Sequence, residues 1–114
     1  MLLSVLFTGC GGDNSKIPDG YYIEDIDCGS YSVFIFSGNN LTLKRGMKFL
    51  KGGRTPEETV FHGNYEIKDG ILYFQDKEYE FSYGKDRGRN KLYLYSHPRK
   101  KSLYDGPKYI LIKR

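Results

Sequence analysis

"GNYEIKDGILYFQDKEYEFSYG", residues 63–84, decides the fold class. Tyr65 and Ile67 alternate with Asn64 and Glu66, the two-residue period of a half-buried strand. Asp69-Gly70 follows, a pair that accepts the positive φ angles of a tight hairpin turn. "ILYF" is the returning strand and "QDKE" a second short reversal. In "EYEFSY", Tyr79, Phe81 and Tyr83 share one face, opposite Glu78, Glu80 and Ser82. The stretch reads as three antiparallel strands in sequence.

The same logic extends in both directions. "YSVFIF" and "LTLKR" are separated by the turn residues "SGNN". "KLYLYS" follows the polar string "GKDRGRN", and "KYILIK" follows "DGP". "GYYIEDI" supplies a first strand and "TVFHG" leads into Tyr65, for about eight strands, which close most economically as an up-and-down barrel. Between Met47 and Thr59 two readings stay open: a long loop, or an added strand at "MKFL" before "KGGRTPEE". Composition agrees, with no Ala, one Gln, 11 Tyr and 7 Phe, a bias toward pleated surfaces and away from helices. The expected fold is all-β: a small antiparallel meander closing into a barrel or half-barrel.

Several strands are apolar on both faces: "VFIF", "ILYF", "LYLY" and "YILI". Their outward side chains must therefore lie under loops, in a second layer or against a partner. "GNYEIKDGILYF" resembles a repeated element of small lipocalin-like domains in bacterial secreted proteins and lipoproteins. The resemblance covers residues 18–113; it implies a barrel or half-barrel and brings no activity with it. A hollow barrel would be lined by inward residues such as Tyr65, Ile67, Tyr79, Phe81 and Tyr83, whereas a chain this short favours their filling the core.

Ahead of the body, "LLSVLF" (2–7) is an apolar run followed by Thr8, Gly9 and Cys10, as in a secretory signal. The string "LFTGC" resembles the lipobox of bacterial lipoproteins. That resemblance implies cleavage between Gly9 and Cys10 and diacylglycerol on the Cys10 sulfur. The organisation expected is a signal peptide at 1–9 without a basic n-region, lipidated Cys10 with a flexible tether at 10–17, and a barrel domain at 18–114. The implied location is the bacterial cell envelope, on a membrane and facing outside the cytoplasm. No run approaches the roughly 20 apolar residues of a spanning helix. The competing reading makes residues 2–7 a strand and pairs Cys10 with Cys28; the polar "GGDNSK" that follows reads instead as a tether. Lipidation would leave Cys28 unpaired, and the flanking carboxylates Asp25 and Asp27 favour an inert thiol, buried as a small hydrophobe, over a reactive one.

Catalytic patterns do not emerge. His62 and His97 lack metal-ligand spacing, and the two cysteines are too few for a disulfide framework and lack the spacing of a zinc site. No serine sits in a nucleophile elbow, and "KGG" (51–53) is not a phosphate loop. Glu57-Glu58 and Glu78/Glu80 are paired acids of the kind that solubilise a strand face. No catalytic residue, metal or cofactor is expected.

Charge says more. Residues 31–54 carry five basic groups and no acid, whereas residues 84–114 carry ten basic groups and two acids. In that last third the candidate contacts are Arg87, Arg89, Lys91, Tyr93, Tyr95, Arg99, Lys100 and Lys101. Anionic lipid headgroups, acidic envelope polymers or a small molecule are partners that fit an envelope location. The chain thus reads as a non-catalytic binding or envelope-accessory module. The alternative is an OB-like binder of single-stranded nucleic acid using Lys91, Tyr93, Tyr95, Arg99 and Lys100, an interleaving of cations and rings suited to stacked bases. Plain solvation of the loops is the third reading.

Overall fold

A computed structural model of the chain describes residues 16–97 and 106–114. Nine strands follow one another: β1 (Gly20–Glu24), β2 (Gly29–Ser37), β3 (Asn40–Lys48), β4 (Glu58–Asn64), β5 (Glu66–Lys68), β6 (Ile71–Phe74), β7 (Lys77–Asp86), β8 (Arg89–Ser96) and β9 (Tyr109–Lys113). They form a single antiparallel sheet in the order β4-β3-β2-β1-β9-β8-β7-β6-β5, and no helix occurs among the described residues. The all-β meander expected from the sequence is the fold.

The count of nine resolves into eight runs of chain. Only Tyr65 separates β4 from β5, so one bent segment pairs with β3 along its first half and with β6 along its second. The sheet's two edges are therefore covalently consecutive, and they meet without a hydrogen-bonded ladder. The barrel is nearly closed, with one unsealed seam. Tyr65 pins the corner: its amide donates to the Asn39 carbonyl at 3.0 Å and its hydroxyl to the Gly38 carbonyl at 3.0 Å.

Turn chemistry sets the register. Asp69 and Gly70 both have positive φ (54° and 77°), the two-residue turn that matches the twist of flanking strands. Gln75-Asp76 adopts the same geometry without glycine (48° and 58°). The string "GKDRGRN" predicts a polar loop, but the strands run on through it. β7 and β8 extend to Asp86 and Arg89 and turn on Arg87 and Gly88 alone. Likewise β3 continues through Met47 and Lys48, so part of "MKFL" is strand and the remainder is its tip.

Inward side chains meet in the middle. The Phe34 ring lies 6.4 Å from Phe36, 6.2 Å from Phe74 and 5.3 Å from Tyr109, centroid to centroid. Phe74 also contacts Phe61 at 5.5 Å and Tyr79 at 5.8 Å, and Tyr22 reaches Tyr83 at 6.2 Å. Rings from six strands thus cross the lumen, which is filled and not hollow. Tyr79 and Phe81 belong to this core, and Tyr65, Ile67 and Tyr83 are partly buried and pack against it. Each fully buried side chain of this size contributes about 1.5–3 kcal/mol. Burial, helped by the neighbouring Tyr109, pushes the Tyr79 phenol up to about 12. One end of the barrel is plugged by Ile17, which is 3 % exposed although the sequence places it at the end of the tether. Tyr22 donates to the Pro18 carbonyl at 2.7 Å, and Asp19 accepts from the Gly38 amide. Cys28 is a free thiol and exposed, so it does not pack as a small hydrophobe.

Candidate functional site: a basic cleft on the outer wall

Alternation along β1, β2 and β9 sends a second set of apolar side chains outward. Ile23, Tyr31 and Val33 are buried there, with Tyr21, Ile26 and Ile35 packed against them. Water is kept off them by the β3–β4 connection, which folds back along the wall. Its anchor is Glu57, whose carboxylate accepts from Tyr31 at 2.8 Å and from Tyr21 at 3.2 Å. Burial first, and then the Glu57 charge, raise the Tyr21 phenol above its ordinary value. In Tyr31 the order is burial and then the Glu57 hydrogen bond. Both phenols stay protonated and keep donating. Arg54 sits over the Tyr31 ring, 5.7 Å from its centroid. That ring lies flat against Gly46, where a Cβ would come within 2.9 Å of its hydroxyl.

Beside this cluster opens a cleft of about 500 Å³. Its floor includes Ile23 and Ile112, which are direct partners across the β1–β9 ladder. Lys48, Arg54, Arg89 and Arg114 stand around it, and Glu24 and Asp25 are the acids. Both acids have other partners: Glu24 accepts from the Ser32 amide at 2.9 Å, and Asp25 lies 4.0 Å from the Lys91 ammonium. Lys48 donates to the Ile26 carbonyl at 3.0 Å, a neutral acceptor that leaves its charge uncompensated. An apolar floor under a mostly cationic rim suits an anion that carries an apolar portion.

The candidates named from sequence separate. Arg89 joins the cleft. Arg87 occupies the β7–β8 turn. Lys91 is 3.3 Å from Asp86, and Tyr93 donates to the same carboxylate at 3.0 Å. Asp86 is held below the usual carboxylate range, by the Tyr93 hydrogen bond first and Lys91 second. Tyr95 stands opposite Glu80 in the ladder at the far end of β8 from Arg89. Arg99, Lys100 and Lys101 lie outside the described residues, as do Gly9 and Cys10.

The basic runs at 31–54 and 84–114 contain Lys48, Arg54 and Arg114, but charge along the chain could not show that they meet, because the cleft joins residues that only the ladder and the folded-back loop bring together. The available signal was the outward Ile in "YYIE" and "YILIK", whose strands needed a cover. Elsewhere the two histidines are engaged by side chains. His62 Nδ1 is 2.7 Å from the Thr42 hydroxyl, and His97 lies 3.2 Å from Glu80 and 3.8 Å from Glu78. Among the described residues no three His, Cys, Asp or Glu side chains gather as a metal site would require.

Comparison with known proteins returns nothing: no family model, no curated protein and no solved structure matches this chain. The barrel-like fold accordingly stands on its own strand order.

Proposed function

We propose that this chain is a lipid-anchored protein of the bacterial cell envelope, and that its filled, non-catalytic barrel binds an anionic ligand on its outer wall. The observation that carries the binding is the cleft: apolar at Ile23 and Ile112, cationic at Lys48, Arg54, Arg89 and Arg114. The filled lumen supports an external site over an internal one. Anchoring rests on "LFTGC" and the polar tether after it. Two acyl chains on Cys10 would hold the domain stably, where one holds only marginally. The nucleic-acid reading loses support because Asp86 engages both Lys91 and Tyr93. The meander order also differs from the Greek key of an OB-fold.

Two experiments test the parts separately. In a bacterial host the chain should incorporate labelled palmitate, and Cys10→Ser should abolish incorporation; equal labelling of both ends the anchor reading. The Cys10→Ser protein, titrated with dodecyl phosphate below its micelle concentration, should show methyl shifts at Ile23 and Ile112. Arg89→Glu with Arg114→Glu should weaken that binding by roughly 10–100-fold, as loss of charge-assisted contacts does. Shifts confined to the core methyls of Leu92 and Leu94 would sink the outer-wall site.

A further inference from the structure

The large hydrophobic side chains that remain exposed are not scattered. Met47 is 42 % exposed, Phe49 50 %, Leu50 82 % and Val60 48 %, all from the β3–β4 side of the barrel. Met47 and Val60 line one shallow hollow, and Phe49 and Leu50 follow directly after β3 at the tip of the connection to β4. Leaving Leu50 in water forfeits the burial that every other leucine among the described residues obtains.

The tip is built, not frayed. Lys48 and Arg54 form a bridge across it, and the Phe49 amide donates to the Gly53 carbonyl at 2.8 Å. The Gly52 amide donates to the Phe49 carbonyl at 2.9 Å, a reversal for which Gly52 takes a φ of +94°. Behind it the Thr55 amide donates to the Met47 carbonyl at 3.0 Å, and the Met47 amide to the Thr55 hydroxyl at 2.9 Å. The tip thus meets much of its backbone demand internally, as a segment must before it enters a medium without water. Its two arms are bridged to each other at Lys48 and Arg54, so it does not offer the unpaired strand edge that a β-adding partner uses. The segment itself carries only cations, Lys48, Lys51 and Arg54, with no Asp or Glu from residue 28 to residue 56. The next acids along the chain are Glu57, which accepts from Tyr31 and Tyr21, and Glu58, which lines the hollow beside Met47.

We infer that Phe49 and Leu50 seat in the interface of a bilayer rich in anionic lipid, with Lys51 at its phosphates and Lys48 and Arg54 adding positive charge at the base of the tip. Apolar side chains at the acyl boundary beneath a ring of cations is the arrangement by which surface segments hold anionic membranes. The contact does not involve Cys10, and it shares Lys48 and Arg54 with the rim of the cleft, so only Phe49, Leu50 and Lys51 are its own. It lies at the end of the barrel opposite Ile17, since Lys48 pairs with Gly29 and Gly20 with Phe36. With an anchor at Cys10 as well, the barrel would be held at both ends and lie along the membrane.

The chain contains no Trp, so Leu50→Trp reports on the tip alone. In the full chain carrying Cys10→Ser, its emission should shift to the blue on mixed phosphatidylglycerol–phosphatidylcholine vesicles and stay unchanged on pure phosphatidylcholine. In the same background, Phe49→Ser with Leu50→Ser should cut co-sedimentation with the anionic vesicles at least about tenfold. The thermal melt should hold, because both side chains are exposed. Lys51→Glu and added salt should weaken binding further. Sedimentation without a blue shift would place the contact elsewhere and overturn the inference. So would absence of binding, or a blue shift without vesicles in a chain that sediments as a dimer, which would make the tip a surface between copies.

Discussion

The two faces of β2 are buried by different means. Phe34 and Phe36 point inward and are covered by rings from strands all around the barrel. Tyr31 and Val33 point outward and are just as inaccessible, yet they share a cluster with only Ile23 and three partly buried neighbours. Their cover is one connection, fastened chiefly by Glu57. The inner face can be exposed only by opening the barrel. The outer face can be exposed by releasing a loop. A single strand therefore serves both a global core and a local one with its own opening free energy.

The largest effect should come from the inner face. Phe34→Ala removes a fully buried ring and should cost about 3–5 kcal/mol, enough to lower the thermal midpoint steeply or leave the chain unfolded. Circular dichroism reads this directly, and a loss below 1 kcal/mol would contradict the filled lumen. Alkali attacks the same wall. The Tyr79 phenol is raised in the fold, so its contribution is fully present below pH 10 and is lost as pH rises from 10 through about 12. Phenolate absorbance should lag in the folded protein and then rise together with unfolding.

Gly46→Ala tests the outer face. The new methyl would displace the Tyr31 ring, costing about 1–3 kcal/mol by overpacking. Its signature is local: trypsin should cut after Lys51 and Arg54 faster, while the strands stay intact. Uniform loss of all structure would mean the two faces are one cooperative unit. Smallest is Gly70→Val, which places a β-branched residue at φ +77° and should cost on the order of 1 kcal/mol. Because the β5–β6 hairpin borders the seam, its amide exchange should quicken before that of β2. An unchanged melt would contradict the turn assignment.

What the sequence displayed and what it hid divide along the same line. Inward positions were legible because Tyr79, Phe81 and Tyr83 keep a strict period, and the Asp69-Gly70 turn has a chemical reason to be where it is. Gln75-Asp76 was read as a reversal from its polarity, although neither residue is a glycine. Arg87-Gly88 was obscured because charged residues continue into both flanking strands and made a tight turn look like a long loop. The outer cleft was illegible for a different reason. Lys48 and Arg54 lie far in sequence from Arg89 and Arg114, and no local pattern records that β1 and β9 are neighbours. Lys91 and Tyr93 read as available for a partner in the sequence because nothing local shows that the Asp86 carboxylate engages both.

The seam carries a final consequence. An open sheet edge is a template on which another chain can add strand after strand, the route to fibrils. Here β5 is three residues long and presents exposed Glu66 and Lys68. β4 breaks step with β3 at Leu43/Lys44, leaving Val60 without a partner in the ladder. One border is too short to extend and the other too irregular to copy. Molecules crowded side by side can thus touch at their seams without zipping together.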